Sequence, residues 1–224
     1  MPTPPPIAVQ PLDPALLAQL VRLLHKLKHD LSNSLVAAMG ELDLLAEDVD
    51  DVALAERLHE TRGNLLRPFR DLRRITTGLP LPEGAPVRWQ DVRHELETRA
   101  RELGVALEWQ PDVVRWLAAD PALRPIVAAL VTNALDAATA GVTVDVSLTA
   151  EPQTGDHFLQ IRDDGPGCSD LLAAADGKLA RTGGAHLGLG LPVAAAILAQ
   201  RGGHLTLQEN APHGLLAIAS WPED

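Results

Sequence analysis

Two long stretches of the chain place apolar side chains at steps of three and four. Over 13–47 the stripe is Leu16, Leu20, Leu24, Leu27, Leu31, Leu35, Ala38, Leu42 and Leu45. Positions with that spacing stack on one side of a helix, so the pattern predicts a long amphipathic helix. Asp13 followed by Pro14 supplies an N-cap and a first helical residue. The acidic run at 47–51 interrupts the stripe, and a second one follows at Leu54, Leu58, Thr61, Leu65, Phe69, Leu72, Ile75 and Leu79. Two such helices joined by a short turn form a hairpin. One partner helix does not fully cover either stripe, so two hairpins are expected to pair as a four-helix bundle in a homodimer. Pro68, inside the second helix, predicts a kink costing about 3 kcal/mol if uncompensated.

The pattern changes after LPLPEGAP at 79–86, a linker by composition. A helix is predicted over 90–103, a strand over 105–109 and a helix over 121–140. Alternating strands follow at 142–148 and 157–162, then a buried helix over 188–203 and strands at 204–209 and 215–221. Strands and helices interleaved over ~130 residues predict a two-layer α/β sandwich, a sheet with helices on one face. The fold class expected for the whole chain is therefore α+β. Its parts are a flexible Pro-rich tail at 1–12, a helical hairpin at 13–79 and a two-layer domain at 87–224.

Composition narrows the partners. The 224 residues are 46% hydrophobic, carry a net charge of −11 and include no Tyr, two Phe and four Trp. Acidity without a basic tract argues against nucleic acid. A single cysteine, Cys168, excludes an internal disulfide and fits a reducing, cytoplasmic compartment. No apolar run reaches the roughly 20 residues that span a bilayer, so no membrane is expected. The N-terminus has neither the basic nor the apolar region of a signal peptide.

Three segments carry chemistry. In HDLSNSL at 29–35, His29 lies off the apolar stripe, Asp30 is its neighbour and Asn33 stands one turn later on the same face. An exposed imidazole can accept a phosphoryl group, a carboxylate beside it can orient its other nitrogen, and an amide can position water for the reverse reaction. Read alone, the segment is an ordinary polar helix face, as is His25 one turn earlier. In VTNALDA at 131–137, Asn133 sits among apolar residues, where an amide can ligate Mg²⁺ held by a triphosphate, or simply be a satisfied buried amide. In DDGPG at 163–167 a strand ends on Asp163, whose carboxylate can accept a hydrogen bond from an adenine amine. Gly165 and Gly167 allow the backbone close to the base. Gly188 and Gly190, in GLGLP, open a helix whose free N–H groups favour phosphate. The polar stretch between, 169–186, is expected to be a mobile lid.

In order and spacing these segments resemble the catalytic core of the two-component sensor histidine kinases, over about residues 13–222. That family joins a dimerisation and histidine-phosphotransfer hairpin to a GHKL-type ATPase domain. HDLSNSL is similar to its H box, VTNALDA to its N box, and DDGPG and GLGLP to its glycine boxes. The resemblance implies that His29 accepts the γ-phosphoryl group of Mg·ATP, with Asp30 and Asn33 assisting. It implies that Asn133 holds Mg²⁺, that Asp163 reads adenine, and that Gly165, Gly167, Gly188 and Gly190 shape the pocket. The phosphoryl group would pass to an aspartate on a response-regulator receiver domain. With only a dozen residues before the first helix, the signal is expected from a separate sensory protein. The chain departs from the family at Ala129 for a second N-box Asn, Leu171 and Leu172 where the lid carries Phe, Leu215 for the Thr after Gly214, and Ser34 for a Pro. Each lost polar contact costs nucleotide binding about 1 kcal/mol or more. The alternative is a histidine phosphotransferase that relays phosphate between receiver domains without binding ATP.

Overall fold

The computed structural model describes residues 5–47, 51–77, 88–120, 123–151, 155–167, 190–210 and 213–222. The expected hairpin is α1 (Pro14–Glu47) and α2 (Val52–Thr77). Asp13 caps α1: its Oδ1 accepts from the N–H groups of Ala15 at 2.9 Å and Leu16 at 3.1 Å. Asp51 does the same for α2, accepting from Ala53 at 2.9 Å and Leu54 at 3.3 Å, so the acidic run that breaks the pattern also starts the next helix. An Arg62–Asp43 ion pair at 3.3 Å ties the two helices together. The α2 backbone stays helical through Pro68.

The remaining elements are α3 (Trp89–Leu103), β2 (Ala106–Trp109), α4 (Pro111–Ala119), α5 (Arg124–Ala137), β3 (Thr143–Ala150) and β4 (His157–Asp163). After them come α6 (Gly190–Ala199), β5 (His204–Glu209) and β6 (Leu215–Trp221). A short strand, β1 (Ile7–Ala8), precedes them all. The sheet runs β1-β5-β6-β4-β3-β2, with β2 parallel to β3 and every other neighbour antiparallel.

Period-two alternation decides the faces. Val144, Val146 and Leu148 of β3, Leu159 and Ile161 of β4, and Leu205 and Leu207 of β5 are buried; the residues between them are more exposed. The covering layer includes α6, whose residues from Leu191 to Leu198 are all buried, and α5, buried from Ile126 to Val131. Helices cover one face of the sheet and polar residues such as Asp145, Ser147, Gln160 and Arg162 line the other. This is the expected two-layer domain.

Two expectations need correction. The flexible tail expected over 1–12 instead carries β1: Ile7 pairs with Leu207, Ala8 with Thr206, and the Val9 N–H donates to the Leu205 carbonyl at 2.8 Å. Val9 is buried, because an Ile-Ala-Val run can add apolar side chains to an open sheet edge. At the start of α1 the buried face is Leu17, Val21 and Leu24, with Leu16 half exposed at 52%. These residues join the domain's core, so contact with the domain, rather than with α2, selects the face. Among elements not anticipated, α4 buries Val113 and Leu117 and stacks Trp116 on His157, ring centres 4.2 Å apart.

Candidate functional site

β4 places the carboxylate. Its inward column is His157, Leu159, Ile161 and Asp163, so the alternation that builds the core ends on an acid at the strand's C-terminal edge. Asp163 is 6% exposed. Its Oδ1 accepts from the N–H of Gly165 at 3.0 Å and of Leu215 at 3.3 Å. Burial pushes its carboxyl above the usual 3.8; the two N–H donors pull it back down, and neighbouring Asp164 adds a smaller push upward. Asp164 does different work: its Oδ1 accepts from the Thr143 N–H at 2.6 Å, tying the turn to β3.

The turn is shaped by close backbone approach. A Cβ on Gly165 would stand 3.0 Å from Asp163 Oδ1, and Gly167 has φ +74° with its Cβ position 3.3 Å from the Gly214 carbonyl. Gly214, at φ +105°, presses on the Asp163 carbonyl so closely that a Cβ there would overlap it. Asn210 is a site residue that sequence reasoning missed: its side-chain amide donates to the Asp163 carbonyl at 2.7 Å, and its N–H donates to the Gly214 carbonyl at 3.0 Å. A turn signal before β6 was all the sequence offered for it.

Asp163 opens into a cleft of about 280 Å³, continuous with solvent and lined by Leu130, Asn133, Ala134, Ile161, Leu191 and Leu215, among others. The structure thus brings together Asn133, Asp163 and the turn of Gly165 and Gly167, with Gly190 next to the lining residue Leu191. Apolar walls with one carboxylate and one amide suit a flat, amine-bearing heteroaromatic ring. Gly190 begins α6 with its Cβ position 3.8 Å from the Ala129 carbonyl. Gly188 and the expected lid lie outside the described residues, as does Cys168. Among the described residues no group of three or more His, Cys, Asp or Glu side chains could hold a metal ion, and Asn133 is the amide that lines the cleft.

His29, Asp30 and Asn33 share the exposed face of α1, as their spacing predicts. The imidazole is 73% exposed, with Nδ1 3.4 Å from Asp30 Oδ1 and 3.5 Å from Asn33 Nδ2. Nδ1–H donating to the carboxylate leaves the Nε2 lone pair facing solvent. No helix among the described residues is long and apolar enough to cross a membrane.

Residues 118–224, just under half the chain, match the family model described as histidine kinase-, DNA gyrase B- and HSP90-like ATPase. No curated protein matches the sequence. Among solved structures, the chain is similar to full-length ShkA in complex with AMPPNP, at 24% identity and a TM-score of 0.57, over 90% of this chain and 45% of that one. This chain thus spans less than half of ShkA. It is also similar to the mycobacterial sensor histidine kinase MprB, at 22% identity and a TM-score of 0.46, over 62% of this chain and 97% of that one. A third likeness is the catalytic domain of the histidine kinase ThkA, at 18% identity and a TM-score of 0.47, over 60% and 89%. With the cleft, the turn and the sheet order in place, residues 118–224 match the model of the histidine kinase-, DNA gyrase B- and HSP90-like ATPases, and the likeness to ShkA agrees with that fold.

Proposed function

We propose that this chain is a cytoplasmic protein-histidine kinase: Mg·ATP bound in the cleft donates its γ-phosphoryl group to His29, which passes it to an aspartate of a receiver domain. The observation that carries this reading is the pairing, within one chain, of a buried Asp163 at the mouth of an apolar cleft and an exposed, carboxylate-flanked His29. In the cleft, Asp163 accepts from the adenine amine, the glycine turn admits the ring, and Asn133 faces the cation. Mg²⁺, when bound, neutralises the triphosphate and polarises the γ-phosphorus. His29 Nε2 attacks that phosphorus, the bond to the β–γ bridging oxygen breaks, and ADP departs. Asp30 holds the Nδ1 proton and stabilises the positive ring that forms. Asn33 stands where it can orient water for hydrolysis of a phosphorylated partner.

The apolar side chains left exposed on the hairpin support a homodimer built as a four-helix bundle. A separate sensory protein would supply the signal. The test is incubation with γ-labelled ATP and Mg²⁺ beside His29→Gln and Asn133→Ala. Acid-labile, alkali-stable label is expected on the wild type only; full labelling of either variant overturns the assignment.

A second reading, a histidine phosphotransferase with no use for ATP, is favoured by one observation: Leu215 lines the cleft and Ala129 stands beside Gly190, two positions where the kinases offer polar side chains. Nucleotide titration with melting separates the two readings, because ligand at 100 times Kd adds about 2.7 kcal/mol of stability.

A further inference from the structure

The covered edge of β5 and the start of α6 form a surface that holds a strand followed by an amphipathic helix, and the occupant here is the chain's own residues 7–24. Ile7 and Ala8 pair with Leu207 and Thr206, and Val9 bonds Leu205. The Leu12 N–H donates to the Pro192 carbonyl at 3.3 Å, one residue from the cleft wall at Leu191. Leu17, Val21 and Leu24, spaced to face one way, are buried in the domain core. The beginning of α1 is therefore fixed beside the helix that opens at Gly190.

That attachment determines where His29 can be. Fifteen residues of α-helix separate it from Pro14, about 22 Å at 1.5 Å per residue. Leu12 touches Pro192, so His29 stands more than about 15 Å from the start of α6, where phosphate is favoured. Phosphoryl transfer needs reacting atoms about 3–3.5 Å apart. The ring also points away from the docked face: it follows Leu24 by five positions, about 140° around the helix.

We propose that residues 7–24 are an autoinhibitory clasp that holds the hairpin on its own ATPase-type domain with His29 out of reach of the nucleotide, and that β1 must detach from β5 before His29 is phosphorylated. The proposal rests on the kinase reading above, and its test separates the two. The register makes Ala8 and Thr206 a non-hydrogen-bonded pair, because Val9 bonds Leu205 next to them; such pairs bring Cα atoms within disulfide range. The full chain carrying Ala8→Cys, Thr206→Cys and Cys168→Ser locks the clasp when oxidised. The oxidised form is expected to label at least tenfold more slowly with γ-labelled ATP than the same protein reduced, and Val9→Pro, which lacks the anchoring N–H, severalfold faster than wild type. Equal rates in the oxidised and reduced forms overturn the proposal.

Hydrogen exchange reads the clasp without nucleotide chemistry. The amides of Leu12 and Leu207 are expected to be protected in wild type and to lose that protection in Val9→Pro, with β3 and β4 unchanged. Absence of protection in wild type also overturns it. If protection is found but nucleotide titration shows no binding, the kinase reading fails and the docking of residues 7–24 stands.

Discussion

α6 and α1 are both rich in Leu and Ala, yet they end in opposite environments. From Leu191 to Leu198 every residue of α6 is buried, whereas α1 beyond Leu24 leaves Leu27, Leu31, Val36, Leu44 and Leu45 exposed, Val36 by 71%. The difference teaches that the α/β domain is complete in one chain and the hairpin is not. Leucine on α6 is already satisfied by the sheet, while leucine on α1 is left as exposed apolar surface, the surface the proposed homodimer would cover. The proposed chemistry divides the same way: Asp163 sits in a buried position set by strand alternation, and His29 in an exposed one.

Four measurements would break or sharpen that contrast. Leu135→Ala, at a fully buried position on α5, should cost about 3 kcal/mol in denaturant unfolding; a loss near zero would mean the domain core is not as closed as described. Next is acidification. Burial raises the folded-state pKa of Asp163 above its unfolded value, so the stability contributed by this group is fully present below 3.8 and lost as pH rises through the folded value. Nucleotide affinity runs the other way, since the adenine amine needs the carboxylate. On titration it should fall with acid at a pH above 3.8, by about 2 kcal/mol for a hydrogen bond to a charged group, and Asp163→Asn should flatten that dependence. Asn210→Ala removes the donor on the Asp163 carbonyl and should weaken nucleotide binding and thermal stability together, by about 1 kcal/mol each. Smallest is Val36→Ser, expected to leave unfolding of the isolated protomer within about 0.5 kcal/mol. If the hairpins dimerise as proposed, sedimentation at falling concentration should nonetheless show its dimer dissociating before that of wild type; a wild type that sediments as a monomer at every concentration would end the contrast.

Much of this was legible in the sequence, for reasons that differ by region. The strands β3 to β6 were placed within two residues of their ends; for β3 to β5, alternation over six to eight residues has one solution when one face is buried. Asp163 was singled out by its position at a strand end before a glycine turn, and His29, Asp30 and Asn33 by helical spacing; those are local facts. β1 was not legible: six prolines and few apolar residues in the first fourteen positions read as a tail, and an edge two residues long is decided by the strand it meets. The face of α1 shifted from Leu16 to Leu17 for a similar reason. A helix with leucine at 16, 17, 20, 23, 24 and 27 offers two stripes, and only the docked surface chooses between them. α4 had a readable signal, with Pro111 at its first turn and Val113, Trp116 and Leu117 on one side. Its nine residues fell between two longer patterns and were absorbed by neither.

The two-residue strand has a consequence for how the protein behaves in a crowded solution. Open sheet edges recruit strands from other molecules, which is the first step toward aggregation. Here the outermost edge on one side is Ile7–Ala8, and Pro5 and Pro6 stand directly before it with no N–H to offer a further strand. The segment thus closes the sheet with a blunt end, and a chain with an exposed apolar hairpin is spared a second adhesive surface.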